Sequence, residues 1–61
     1  MLEEAKKFFS EFVGDKDKIT NVWYEPKMDT YYCRTDLGQY WQIRTLELNR
    51  EIAKRKSEGK W

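Results

Sequence analysis

The chain has no histidine, a single cysteine and a single proline, and no apolar run near the ~20 residues of a membrane-spanning helix. Each absence removes a class of function. Without histidine there is no side chain whose ordinary pKa suits acid–base work near neutral pH. One thiol and no imidazole cannot assemble a structural zinc site, which takes four such ligands. A lone Cys33 forms no intrachain disulfide, and that usage fits a reducing compartment. The start, Met1-Leu2-Glu3-Glu4, is acidic where a secretory leader is basic. The expectation is therefore a complete cytoplasmic protein with no metal, no cofactor and no membrane contact. Glycine is scarce too. Gly14, Gly38 and Gly59 are isolated, so there is no phosphate-cradling loop.

Charge of one sign is also lacking. Lysine and arginine number 12 against 11 acids, for a net charge of +1, which gives no global attraction to nucleic acid. The distribution is uneven. Residues 1–18 and 19–38 each carry −1, and residues 39–61 carry +3. The carboxylates, among them Glu3, Glu11, Asp17, Glu47 and Glu51, are interspersed with lysine and arginine and read as solvated faces rather than catalytic pairs. Cys33, with no partner base, reads as an inert core thiol. A domain of 61 residues is also too small to enclose a substrate cavity of ~300 Å³.

What the chain has is aromatic residues: three Phe, four Tyr and three Trp in 61 positions. A domain this small buries only about 60% of the surface its unfolded chain exposes. With metals and disulfides excluded, large aromatic side chains are the means left to build a core.

The spacing predicts a helix over residues 2–13, with Leu2, Ala5, Phe9 and Phe12 on one stripe, widened by Phe8 and Val13, and Gly14 ending it. Residues 19–25 and 30–35 are rich in β-branched and aromatic types and read as strands around a Pro26–Asp29 turn. Asp36-Leu37-Gly38 fits a three-residue hairpin loop with glycine in the left-handed region, followed by a third strand over 39–44. A helix then runs from Leu46 to about Glu58, with Leu48 and Ile52 facing inward, Thr45 as cap and Gly59 as stop. The competing reading is one long helix over 39–58 started by Asp36. The expected class is α+β: α-β-β-β-α, a three-stranded antiparallel meander packed on one face by two helices, forming one domain over residues 1–61.

A three-residue loop pairs Thr35 with Gln39. It then sets Arg34 opposite Tyr40, Cys33 opposite Trp41, Tyr32 opposite Gln42 and Tyr31 opposite Ile43. A second loop pairing Glu25 with Thr30 adds the first strand. Because side chains alternate, Val22, Tyr24, Tyr31, Cys33, Trp41 and Ile43 share one face. With Leu2, Ala5, Phe9, Phe12, Leu48 and Ile52 they make the expected core. Asn21, Trp23, Tyr32, Arg34, Tyr40, Gln42 and Arg44 share the other face. Flat aromatics, guanidinium groups and amides suit a protein interface or a nucleic acid. They also suit an aromatic cluster that only stabilises the sheet.

The expected partner-binding residues are Trp23, Tyr32, Arg34, Tyr40, Gln42 and Arg44. Arg50, Lys54, Arg55 and Lys56 form a secondary basic patch. No residue is expected to be catalytic. The order of elements over residues 19–58 is similar to that of the small arm-binding domains of lambda-type phage integrases, with Tyr31-Tyr32-Cys33-Arg34 in the central strand. That resemblance implies a sheet lying in the DNA major groove. The N-terminal helix is additional to that pattern and the chain is much less basic. In size and composition the chain also resembles phage-encoded host inhibitors, which implies a small binding protein or regulatory adaptor. The expected function is non-enzymatic binding of another protein, with DNA or RNA as the alternative and a second copy of the chain as a further candidate partner.

Overall fold

A computed structural model describes residues 1–61. The elements run α1 (Leu2–Ser10), β1 (Ile19–Glu25), β2 (Thr30–Thr35), β3 (Tyr40–Arg44) and α2 (Thr45–Ser57). The sheet is an antiparallel meander of order β1-β2-β3. Both helices lie on one face, so the α-β-β-β-α architecture is as expected and the long helix over 39–58 is not formed. No helix is long and apolar enough to cross a membrane.

The β2–β3 hairpin follows from its loop. Gly38 takes φ +84°, a conformation that costs other residues. Its N–H donates to the Thr35 carbonyl, and the Thr35 N–H donates to the Gln39 carbonyl. This closes the loop and sets the register that the sequence predicts, from Arg34 opposite Tyr40 to Tyr31 opposite Ile43. β1 pairs with β2 from Glu25–Thr30 to Asn21–Arg34, with one irregularity between Ile19 and Asn21.

The buried core is Ala5, Phe8 and Phe9 of α1, Tyr31 and Cys33 of β2, and Leu48 and Ile52 of α2. Ile19, Val22, Trp41, Ile43 and Trp61 pack around it, half-buried. Three expected core residues lie outside. Leu2, Phe12 and Tyr24 are 48%, 46% and 40% exposed. The cause for Phe12 is that α1 ends three residues early. The N–H groups of Glu11, Phe12 and Val13 turn back onto the carbonyls of Phe8 and Phe9, so the stripe stops at Phe9 and Phe8 enters the core. Phe12 instead packs on Phe8 and Trp41, with ring centroids 5.0 and 5.6 Å apart. Gly14 is not the stop, because the helix is already finished and Gly14 has no positive φ.

α2 starts differently from expectation. Its cap position is Arg44, and Thr45 is the first helical residue. Thr45 has another task. Its N–H donates to the Asp29 carbonyl (3.0 Å) and its hydroxyl to Asp29 Oδ1 (2.7 Å). The β1–β2 turn brings Asp29 there, in the left-handed region at φ +50°. The carboxylate of another element thus occupies the positive end of α2. The other end is as predicted. With Gly59 at φ +71°, its N–H and that of Lys60 donate to the carbonyls of Lys56 and Arg55, the glycine-closed helix terminus.

Candidate functional site

The expected site residues Trp23, Tyr32, Arg34, Tyr40, Gln42 and Arg44 all project from the helix-free face of the sheet. Their order follows from the register. Trp23, Tyr32 and Gln42 form one row across the three strands, and Asn21, Arg34 and Tyr40 form the next. Arg44 stands opposite Thr30 in a third row with Glu25.

Within this face the aromatics engage one another. The Trp23 and Tyr32 rings are stacked, centroids 5.5 Å apart and 11° from parallel. Tyr40 meets Trp23 edge to face at 6.5 Å and 88°. The Arg34 guanidinium carbon lies 5.6 Å from the Tyr40 ring centroid, within cation–π range. Trp23 and Tyr32 are half-buried by this packing, whereas Arg34, Tyr40, Gln42 and Arg44 are exposed, Tyr40 by 61%. Both arginines are free of ion pairs, and their guanidinium groups donate no hydrogen bond within the chain.

Arg55, expected in a basic patch, is engaged elsewhere. Its Nε donates to both Glu11 oxygens (3.0 and 2.9 Å), Nη2 to Glu11 Oε1 (2.8 Å), and Nη1 to Glu51 Oε1 (2.8 Å) and the Glu51 carbonyl. It also lies over the Phe8 ring at 5.0 Å. These carboxylates, Glu11 first, raise its already high pKa, and Arg55 in turn holds Glu51 below the usual carboxylate range. Its charge is used in joining α1 to α2. Arg50, Lys54 and Lys56 stay exposed on α2.

Two further carboxylates hold the hairpin ends, and both escaped the sequence reading. Asp17 Oδ1 accepts from the N–H groups of Lys18 (2.8 Å) and Leu37 (3.0 Å), tying the loop before β1 to the β2–β3 turn. Desolvation pushes its pKa up. The Thr35 hydroxyl and the Leu37 and Lys18 N–H groups together outweigh this and leave it below the ordinary 3.8. Asp17 Oδ2 is buried and has no hydrogen-bond partner. Asp29 also lies below 3.8, first because the Tyr24 hydroxyl donates to it at 2.6 Å and second because Thr45 does. The same bond holds Tyr24 above its ordinary 10.0. The only sequence sign of either role is a carboxylate beside a turn.

Cys33 is fully buried, and burial pushes its thiol up. No group of three or more Cys, Asp or Glu residues comes together in a metal-holding cluster. No protein-family model, curated protein or solved structure matches this chain.

Proposed function

We propose that this chain is a non-enzymatic binding protein that engages another protein through the open sheet face, in the manner of a small inhibitor or regulatory adaptor. The arrangement of the rings carries this reading. A surface that stacks nucleic-acid bases needs free aromatic faces. Here Trp23 and Tyr32 spend one face each on the other, and Tyr40 carries Arg34. Beside these mutually engaged rings the face offers tyrosine hydroxyls, the Gln42 amide and two unpaired guanidinium groups. Tyr, Trp and Arg in that form are the residues that dominate protein hot spots. The near-neutral charge agrees, since binding to nucleic acid rests on many phosphate contacts. The lone buried thiol fits work in a reducing compartment.

The test is affinity capture from a native lysate, with and without nuclease, using the wild type and an Arg34→Ala/Tyr40→Ala variant. Proteins retained after nuclease treatment and lost with the double variant support the reading. Capture that disappears with nuclease makes the partner a nucleic acid. A folded double variant that captures the same proteins as wild type makes the aromatic cluster structural only.

A further inference from the structure

We propose that the outer edge of β3 takes up an extended segment of the protein partner as a fourth strand, with acidic residues toward Arg44 alternating with apolar residues toward the helices. This rests on the partner being a protein. β3 is hydrogen-bonded on one side only, to β2. The bond from the Thr35 N–H to the Gln39 carbonyl sets the antiparallel alternation. Trp41 and Ile43 therefore bond to β2, while the N–H groups of Tyr40, Gln42 and Arg44 and the carbonyls of Tyr40 and Gln42 point away from it. No side chain or loop caps these groups. β3 carries no proline, no lysine and no bulge to turn an incoming strand away, and its one charge, Arg44, stands at its C-terminal end. The opposite edge is less suited. β1 is irregular between Ile19 and Asn21, which breaks the spacing an incoming strand must match.

The chemistry on the two sides of this edge differs. Residues of an added strand point alternately to the two faces. On the helix side they meet a groove lined by Phe8, Phe12 and Ile43, with Phe12 half-exposed, and by Glu47, Arg50 and Glu51 of α2. On the open side they meet Tyr40, Gln42 and Arg44, whose guanidinium has no internal carboxylate. Charge complementarity selects acidic residues there.

Size argues the same way. Three strands of five to seven residues present a flat face of roughly 14 by 18 Å. A stable two-body interface takes about 20–30 residues a side, and the strand residues of one such face are fewer than that. Main-chain bonds along β3 and the adjoining groove supply the missing contact, as strand addition does elsewhere.

The experiment is selection of a random heptapeptide display library on the full-length protein. Binding of the enriched peptides is then measured by calorimetry and by ¹H–¹⁵N chemical shifts. The expected peptides alternate acidic and apolar residues with period two, and they slow hydrogen exchange at the Tyr40 and Gln42 amides. N-methylation of alternate peptide bonds leaves this protein untouched. One methylation phase should weaken binding at least tenfold and the other should not. Gln42→Pro, which removes an outward N–H, and Arg44→Glu should each weaken binding at least tenfold. Peptides without period two, peptides indifferent to N-methylation, or no enriched peptide at all would overturn strand addition. If Arg34→Ala/Tyr40→Ala abolishes nuclease-resistant capture while Gln42→Pro does not, the sheet face remains the binding surface and only the added strand is refuted. Capture abolished by nuclease refutes both.

Discussion

Arg34 and Tyr40 face each other across the β2–β3 hairpin, with the guanidinium carbon 5.6 Å from the ring centroid. The contact limits the rotamers of two exposed side chains before any partner arrives, and less conformational entropy is lost on binding. Arg34→Ala with Tyr40→Ala should weaken partner binding by at least ~2 kcal/mol and leave the fold intact. Titration at two salt concentrations adds a second check. A protein interface built on aromatics should respond weakly to salt, whereas nucleic-acid affinity falls linearly with log salt.

Phe9 and Phe12 should separate sharply. Phe9 is 1% exposed and Phe12 46%. Phe9→Ala should cost about 3–5 kcal/mol, near the whole stability of a domain this small, and abolish the cooperative urea transition. Phe12→Ala should cost about 1–2 kcal/mol, because about half its surface is already wet. Equal urea midpoints for the two variants would contradict the early end of α1.

The Tyr24–Asp29 bond predicts a stability plateau with two limbs. Asp29 has a lowered pKa in the folded chain, so its contribution is complete above about pH 4 and is lost as pH falls through the folded value. Tyr24 has a raised pKa, so its contribution is complete below about pH 10 and is lost as pH rises through the folded value. Tyr24→Phe should remove this part of the alkaline limb and move the Asp29 carboxyl back toward its ordinary value. An unchanged Asp29 ¹³C titration in that variant would show that the hydroxyl is not the cause.

Arg55 should resist replacement by lysine. Its bonds to Glu11 and Glu51 use three different nitrogens of one planar group, and an ammonium cannot reproduce that fork. Arg55→Lys should recover less than half of the stability lost in Arg55→Gln, measured as urea midpoints. In both variants the Glu51 carboxyl should titrate higher than in wild type, because Arg55 is the main cause of its lowered value.

Cys33 should be inert in the folded protein. It is fully buried with a raised pKa, so thiol reagents reach it only through opening of the sheet. Labelling should accelerate in step with the unfolded fraction as urea is added. Fast labelling in buffer alone would place Cys33 at the surface.

The sequence by itself determined the sheet. Period-two alternation, the Asp36-Leu37-Gly38 loop and the Pro26–Asp29 turn act over a few residues, so pairing, register and the division of faces are local consequences of chain geometry. Gly59 was legible for the same reason, as a backbone conformation that favours glycine. Periodicity does not say where a helix stops or how much of a sheet two short helices can cover. That is why Leu2, Phe12 and Tyr24 read as core and lie exposed, while Phe8 read as margin and is buried. The polar clamps were decided only by the tertiary structure. Thr45 lies 16 residues from Asp29, Leu37 20 residues from Asp17, and Arg55 44 residues from Glu11. A carboxylate or guanidinium finds such a partner only once packing has brought distant elements together, and the hydrogen bonds then fix charges that the sequence had left free.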